Sequence, residues 1–332
     1  MKILVTGGCG FIGSNFIKHI LKTYPAYSVL NIDALTYAGN PANLKNVGPD
    51  KRYSFVKGAI ENSSLVESLL RDIDCVVHFA AESHVDRSIL DAQPFLMTNV
   101  VGTYMMLEAS RNSSVKKFIH ISTDEVYGAL GEDGKFTEET PLSPNSPYSA
   151  SKASGDMLVR AYHETHGFPA VIVRPSNNYG PYQFPEKFIP LMITNLLEDK
   201  PVPVYGEGRN IRDWLYVEDN CRAIDLVLHE GKAGEVYNVG GNAERRNIEV
   251  AKKVLDLMGK DESHITFVKD RPGHDYRYAL DSSKIGRELG WKASVDNETG
   301  LRKTIQWYRD NQWWWKPLKE RLSSESSGFW KP

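Results

Sequence analysis

Short, almost continuously apolar runs alternate with segments of helical periodicity along the first half of the chain. Six runs rich in β-branched residues predict strands, at residues 3–6, 28–33, 53–57, 75–81, 118–122 and 170–174. The clearest helical segments lie at 13–23, 63–71, 95–110 and 148–166. Strands that are apolar on both faces and alternate with helices are typical of a parallel sheet covered on both sides. We therefore predict an α/β fold with a Rossmann-type, doubly wound parallel sheet.

The pattern changes after about Arg174. The stretch PSNNYGPYQFPEKFIP, which begins at Pro175, predicts a long ordered loop rather than another strand–helix unit, because it is rich in Pro, Asn and Tyr. Helices are predicted at 187–197, 217–229, 248–258 and 299–309, with short strands at 202–205 and 235–239. We predict an NAD-binding domain at 1–175 and a smaller mixed α/β C-terminal substrate domain at 176–332. The segment 217–240 is a candidate for rejoining the first domain.

Composition narrows the class of partner. The 332-residue chain has 41% hydrophobic and 25% charged positions, and its 40 basic and 42 acidic residues nearly balance. Without a basic excess, no nucleic-acid partner is expected. The cysteines Cys9, Cys75 and Cys221 are too few and too widely spaced for a disulfide framework or a metal site, so we expect reduced thiols, a cytoplasmic protein and no metal. Neither a signal peptide nor a membrane span is predicted.

A glycine-rich turn, KILVTGGCGFIGS, joins the first strand to the first helix. Gly7 allows the tight turn, Gly10 lets the backbone approach a pyrophosphate, and Gly13 lets the helix pack closely on the strand. Asp33 ends the next strand, 20 residues after Gly13, which is the placement expected for an acid that binds a ribose diol. No basic residue follows Asp33 directly, so the pattern favours NAD over NADP. A merely tight turn is the alternative interpretation.

Tyr148 and Lys152 are four residues apart on a predicted helix and therefore share a face. An ammonium near the phenol would lower the pKa of Tyr148 from its usual value of about 10. Tyr148 could then accept a proton from a sugar hydroxyl, while Lys152 also holds the nicotinamide ribose. Thr123, at the end of the preceding strand, would donate a hydrogen bond to the reacting oxygen. A surface Tyr–Lys pair is the alternative, which the glycine turn upstream disfavours.

Two adjacent carboxylates, Asp124 and Glu125, follow the predicted core strand in HISTDEVYGAL. Neighbouring residues on a regular strand point to opposite faces, so both acids reach one ligand only if the strand ends there. Two carboxyls in one site tend to differ in pKa, which provides one general acid and one general base, as the elimination of water requires. A capping Asp and a solvated Glu in a loop are the alternative.

The glycine spacing resembles the extended short-chain dehydrogenase/reductase superfamily, and residues 1–310 resemble the dTDP-glucose 4,6-dehydratase family. The resemblance rests on long segments, among them MKILVTGGCGFIGSNF, NIDALTYAGN, HFAAESHVDRSI, HISTDEVYG, PYSASKAS, SNNYGPYQFPEKFIP and DRPGHDYRYALDSSKI. It implies an NAD-dependent enzyme that oxidises dTDP-glucose at C4, eliminates water across C5 and C6 and returns hydride to C6, in deoxysugar biosynthesis. It also implies a homodimer, with the helices predicted at 95–110 and 148–166 as candidate interface.

The resemblance also assigns roles. Asp124 would expel the C6 hydroxyl, Glu125 would abstract the C5 proton, and Tyr148, assisted by Lys152 and Thr123, would be the base for the C4 hydroxyl. Besides the three glycines, Tyr148 and Lys152, the implied NAD contacts are Phe11, Ile12, Asp33, Ala34, Thr36, Ile60, Thr98 and Asn178. The implied nucleotide-sugar contacts are Ser83, Thr123, Asn177, Lys187, Phe188, Pro203, Tyr205, Arg212, Asn247, Asp270, Arg271 and His274.

One departure from the family stands out. Ala59 lies where the family usually has an Asp that faces the adenine. We expect one hydrogen bond to the base to be missing, so that NAD binds differently or more weakly.

Other functions compete with this interpretation. A 4,6-dehydratase acting on UDP-glucose or another nucleoside diphosphate hexose is the nearest alternative, because thymine and uracil differ by one methyl group. A UDP-sugar 4-epimerase would have no use for Asp124 and Glu125. A catalytically silent NAD-binding protein would have no reason to keep the whole set from Thr123 to Lys152.

Overall fold

A computed structural model describes residues 1–325, and the last seven residues of the predicted second domain lie outside the described residues. The strands are β1 (Lys2–Thr6), β2 (Ser28–Asp33), β3 (Tyr53–Lys57), β4 (Cys75–His78), β5 (Lys117–Ile121), β6 (Ala170–Pro175), β7 (Asn177–Tyr179), β8 (Val202–Tyr205), β9 (Ile211–Tyr216), β10 (Val236–Val239), β11 (Glu244–Arg246) and β12 (Ile265–Val268). The helices of the first half are α1 (Phe11–Thr23), α2 (Ser63–Leu69), α3 (Val85–Leu90), α4 (Gln93–Phe95), α5 (Thr103–Arg111) and α6 (Pro147–His166). Those of the second half are α7 (Phe188–Leu197), α8 (Val217–Glu230), α9 (Asn247–Met258), α10 (Ser283–Leu289), α11 (Asn297–Asp310) and α12 (Gln312–Glu325).

The central sheet has seven parallel strands in the order β3–β2–β1–β4–β5–β6–β10. Successive residues of β1 alternate between two buried cores: Ile3 and Val5 pack with α1 and α8, whereas Leu4 packs with α2, α5 and α6. This double burial explains why the strands appear in the sequence as unbroken apolar runs. The predicted doubly wound parallel sheet is confirmed.

Strand β10 reaches this sheet from the second half of the chain. Val236 pairs in parallel with Ile172 of β6, and α8 packs in the same buried core as α1. The chain therefore leaves the sheet after β6 and returns to it near residue 236.

The remaining strands form two small sheets. One contains β7, β9 and β11, and the other pairs β8 with β12. A separate hydrophobic core lies between these strands and α7, α9, α11 and α12, and it buries Trp314 and Trp315. The expectation of a strandless loop after Pro175 is wrong at residues 177–179, which form β7 beside β9.

The helix predicted at 95–110 is not uniformly α-helical. A π-helical segment, Leu96–Gly102, separates α4 from α5. Such wide turns insert an extra residue and are frequent near functional sites. Within residues 1–325, no helix combines the length and apolar character needed to span a bilayer.

Candidate active site

A cavity of about 320 Å³ opens at the carboxyl ends of the parallel strands, the edge at which doubly wound sheets bind ligands. Twelve of the thirteen predicted cofactor residues line it, namely Gly7, Gly10, Phe11, Ile12, Gly13, Asp33, Ala34, Thr36, Ile60, Thr98, Tyr148 and Lys152. Ser83 and Lys187 of the predicted substrate set also lie on its wall. The glycine turn, Asp33 and the Tyr148–Lys152 pair therefore converge on one cavity. The end of β5 reaches it through Ile121 and Ser122, whereas Thr123, Asp124 and Glu125 are not on its wall.

The glycine turn leaves room where any side chain would collide. Gly7 has a positive φ of 68°, and a Cβ atom there would lie 2.7 Å from the Ala80 backbone nitrogen. A Cβ on Gly13 would lie 2.6 Å from the Gly7 carbonyl oxygen. Helix α1 begins directly after Gly10, so its first N–H groups face the cavity. The cradle fits the pyrophosphate of a dinucleotide.

Asp33 is fixed at the end of β2. Its carboxylate accepts hydrogen bonds from the backbone N–H groups of Cys9, at 2.9 Å, and Leu35, at 2.8 Å. Burial raises the pKa of Asp33, and these two N–H groups oppose the rise. Each carboxylate oxygen can accept further hydrogen bonds, so Asp33 is placed for a ribose diol.

The core strand ends before the acid pair, as the sequence predicts. Strand β5 stops at Ile121, and residues Asp124–Tyr127 form a short 3-10 helix. Thr123 caps this helix: its hydroxyl accepts a hydrogen bond from the Glu125 N–H at 3.3 Å and donates one to Asp124 Oδ1 at 3.2 Å. After burial, the charges of Glu125 and Asp124 contribute to the raised pKa of Tyr148.

The two acids have different electrostatic surroundings. Asp124 is only 1% exposed, and burial together with Glu125 raises its pKa well above the ordinary value. Burial also raises the pKa of Glu125, but the cations of Arg271, Arg212 and Lys187 oppose the rise. The surroundings therefore favour the protonated form more at Asp124 than at Glu125, which is the direction of split that an acid–base pair needs.

Tyr148 and Lys152 lie on α6, and both line the cavity. The Lys152 ammonium donates to the Ile121 carbonyl oxygen at 2.7 Å, and burial lowers the pKa of Lys152 to about 8. The pKa of Tyr148 is raised, first by burial and then by Glu125, while the Thr123 side chain opposes the rise. The expectation that Lys152 lowers this pKa is wrong for this structure, because burial and the two neighbouring carboxyls dominate.

Three cations surround the acid pair from the side of the second half of the chain. Lys187 donates to the Ser83 carbonyl oxygen at 2.8 Å and so bridges to the loop after β4. The guanidinium of Arg212 lies 4.3 Å from the ring centre of Tyr278. Together with Arg271, these side chains oppose the rise that burial causes in the pKa of Glu125. The cluster is suited to an anionic diphosphate.

Asp86 joins two further residues of the predicted substrate set. It accepts a hydrogen bond from the Tyr205 hydroxyl at 2.9 Å, and its other oxygen lies 3.3 Å from Arg271 Nη1. The ring of His274 lies edge-on to that of Tyr205, at 5.8 Å between centres, and its Nδ1 lies 2.6 Å from Asp270 Oδ1. Four predicted substrate residues thus form one group.

The cavity wall does not include the other predicted residues. These are Thr123, Asp124, Glu125, Asn177, Asn178, Phe188, Pro203, Tyr205, Arg212, Asn247, Asp270, Arg271 and His274. Asn178 acts through a neighbour: its carbonyl oxygen accepts from the side chain of Gln183, which does line the cavity. Phe188 stacks on Trp214 at 6.2 Å between ring centres, inside the second core. Pro203 lies in β8, opposite Thr266 of β12.

Several residues of the cavity wall were not predicted, among them Tyr37, Glu61, Glu82, Gln183 and Phe184. No spacing rule identifies them, because each reaches the cavity from a loop. The only available signal was position: Glu82 follows the carboxyl end of β4, where site residues gather in this fold.

Comparison with known proteins identifies the family. The model of the GDP-mannose 4,6 dehydratase family matches residues 4–304 of the 332-residue chain. The chain belongs to this family. Among relatives, the dTDP-glucose 4,6-dehydratase of Streptomyces niveus is 51% identical, with 96% of each chain covered. dTDP-glucose 4,6-dehydratase 1 of Escherichia coli K12 is 51% identical, over 95% of this chain and 94% of that protein.

Solved structures agree with this membership of the GDP-mannose 4,6 dehydratase family. The dTDP-glucose 4,6-dehydratase DesIV of Streptomyces venezuelae, crystallised with NAD and dTDP bound, superposes with a TM-score of 0.94 at 51% identity. The match covers 96% of this chain and 100% of that one. UDP-glucuronic acid 4-epimerase of Bacillus cereus is more distant, with 34% identity, a TM-score of 0.88 and coverage of 93% and 99%.

Proposed function

We propose that this protein is an NAD-dependent dTDP-glucose 4,6-dehydratase, which converts dTDP-glucose to dTDP-4-keto-6-deoxyglucose and water in deoxysugar biosynthesis. The observation that carries the proposal is the end of β5, where the strand stops before Asp124 and Glu125 and both acids lie in a short 3-10 helix capped by Thr123. Several dTDP-glucose 4,6-dehydratases are 51% identical to this chain over almost their whole length. This similarity supports the same reaction.

The cofactor site fits NAD through its own residues. The side-chain-free cradle at Gly7 and Gly13 would hold the pyrophosphate, Asp33 the adenosine ribose and Lys152 the nicotinamide ribose. Bound NAD supplies the acceptor for the hydride from C4 and its donor to C6.

Tyr148 would take the proton of the C4 hydroxyl at its phenol oxygen. The Thr123 side chain opposes the rise in the pKa of Tyr148, and Lys152, one helical turn along α6, would supply positive charge beside the phenolate. The result is a ketone at C4, which makes the neighbouring proton at C5 acidic.

The acid pair would then eliminate water. Glu125, the carboxyl that the three cations favour in its ionised form, would remove the C5 proton. Asp124, whose pKa is raised first by burial, would give a proton to the C6 hydroxyl as that group leaves. An epimerase needs neither step, so the pair supports a dehydratase over the 4-epimerase alternative.

The nucleotide end of the substrate would be bound by the second half of the chain. The diphosphate would be held by Lys187, Arg212 and Arg271. Each guanidinium can form two parallel hydrogen bonds to phosphate oxygens, and the lysine adds a positive charge. We propose the division into a cofactor domain at 1–175, joined by 217–240, and a nucleotide-sugar domain over the rest. It is supported by the return of β10 to the first sheet.

We further propose a homodimer that works in the cytoplasm. Leu96, Met97, Tyr104 and Met157, exposed by 40–59%, lie on the helical segments that the resemblance implicates in an interface. Burial in a second copy would cover this apolar patch. The three cysteines are buried free thiols, as suits a reducing compartment.

Incubation with dTDP-glucose or UDP-glucose, followed by product mass, tests the reaction and its nucleotide. Loss of one water with formation of a 4-keto sugar, and no net NADH, is expected with dTDP-glucose and to a smaller extent with UDP-glucose. An unchanged mass with both substrates would overturn the proposal. Faster dehydration of UDP-glucose would instead establish the alternative substrate.

A further inference from the structure

The far end of the cofactor cavity is formed by the loop after β3. In the sheet order β1–β2–β3, the glycine turn follows β1, Asp33 ends β2, and Gly58, Ala59, Ile60 and Glu61 follow β3. A dinucleotide with its pyrophosphate at the turn and its ribose at Asp33 therefore extends its adenine toward this loop.

The loop presents an apolar surface with few polar groups to the adenine. Ile60 is 4% exposed and lines the cavity, and Gly102 opposite it has no side chain. A Cβ on Gly102 would lie 2.5 Å from the Cδ1 atom of Ile60, so the glycine lets Ile60 occupy this position. The side chain of Ala59 has no hydrogen-bonding group, so it cannot distinguish one purine from another.

Glu61 is the polar exception at this end. Its Oε1 accepts a hydrogen bond from the hydroxyl of Thr98 at 2.8 Å, and Thr98 also lines the cavity. In residues 1–325, Glu61 forms no ion pair and its Oε2 has no hydrogen-bond partner within the chain. Thr98, in the π-helical segment 96–102, therefore holds one carboxylate oxygen of Glu61 in place. The other oxygen remains able to accept hydrogen bonds.

We propose that Glu61, positioned by Thr98, recognises the exocyclic amino group of adenine and replaces the contact that Ala59 cannot make. The inference rests on the proposed NAD-dependent function. An ionised carboxylate only accepts hydrogen bonds, and the adenine amino group only donates them in this plane. Hypoxanthine carries a carbonyl oxygen at the same position, so the carboxylate would repel it.

Binding of NAD and of nicotinamide hypoxanthine dinucleotide, measured by calorimetry without sugar nucleotide, tests the proposal apart from turnover. We expect the unmodified protein to prefer NAD by about 10- to 100-fold, as for hydrogen bonds to a charged group. In Glu61→Gln, the amide can turn either its oxygen or its amino group to the base, so the preference should fall to within about threefold.

Matched variants separate this role from general effects. Glu67→Gln changes an exposed carboxylate on α2 and should keep the full preference for NAD. Thr98→Val should weaken the preference in part, because Glu61 loses its positioning partner. Thermal unfolding of each variant checks that the fold is intact.

The outcomes are distinguishable. If the unmodified protein binds NAD but Glu61→Gln discriminates between the dinucleotides as before, Glu61 does not read the base and the inference is wrong, while the proposed function stands. If the unmodified protein binds neither dinucleotide, the cofactor assignment itself fails and the inference fails with it.

Discussion

Arg174 and Asp156 form a buried ion pair, with 2.8 Å between Arg174 Nε and Asp156 Oδ2, one helical turn beyond Lys152. Burial would raise the pKa of Asp156, but Arg174 and His120 outweigh it and lower the pKa to about 2. Asp156 is therefore ionised and opposes the burial that lowers the pKa of Lys152. The Arg174–Asp156 pair thus favours the charged form of Lys152, which lies on the cavity wall.

Asp156→Asn should lower the pKa of Lys152 further below about 8, because the opposing negative charge is lost. Lys152 loses its proton as pH rises through that pKa, so the alkaline limb of kcat/KM should move to lower pH by roughly one unit. The other titratable or charged groups around this position are Tyr148 on α6, His78, His120 and Arg174.

Asp156→Glu keeps the charge and serves as the control for this pH profile. Its alkaline limb should stay close to that of the unmodified protein. A uniform loss of activity at every pH in Asp156→Asn, with no shift of the limb, would show that Asp156 has only a structural role.

Glu125→Gln and Asp124→Asn should block dehydration at different steps. Both should lower the rate of water loss by at least about 100-fold, the scale of a positioned acid or base. Glu125→Gln should also fail to exchange the C5 proton with deuterium from the solvent, whereas Asp124→Asn should still exchange it. Mass spectrometry in D₂O reads both effects. Normal exchange of the C5 proton in Glu125→Gln would show that another residue acts as the base.

Asp124→Asn should also make the protein more stable, in a pH-dependent way. The folded pKa of Asp124 is raised, so above its ordinary pKa the folded protein binds more protons than the unfolded chain and stability is lost as pH rises. Asparagine has no such penalty. The gain in unfolding free energy should be small at pH 4, close to the ordinary pKa, and larger at pH 8 by at least about 1 kcal/mol, the equivalent of one pKa unit. Urea unfolding at both values measures it, and an equal gain at both would contradict the cause.

Met157→Glu should separate the proposed dimer into monomers. The Met157 side chain is 59% exposed on α6, and an interface with two-fold symmetry would bury one added charge from each copy. Sedimentation analysis gives the mass. Phe267→Glu is the matched control, because Phe267 is 58% exposed but lies on β12, away from these helices. Monomers in the unmodified protein would disprove the dimer.

Local patterns predicted the parts of the fold and site that depend on local physics. Five of the six predicted strands could be recognised because they are buried on both faces, whereas β3, at the edge of the sheet, has no buried residue. The glycine turn could be recognised because close approach to backbone excludes side chains. Strand β9 was missed because it buries Arg212 and Asp213 and so does not look apolar. The raised pKa of Tyr148 was missed because burial depends on contacts far along the chain.

The position of β10 has a consequence for synthesis on the ribosome. Strand β6 is buried over all six of its residues, and β10 covers its outer edge. A nascent chain that ends near residue 175 therefore presents the backbone groups of an apolar edge strand, a template for pairing with other chains. That edge stays open until residues 236–239 have emerged, so the interval between β6 and β10 is when the growing chain most needs a chaperone.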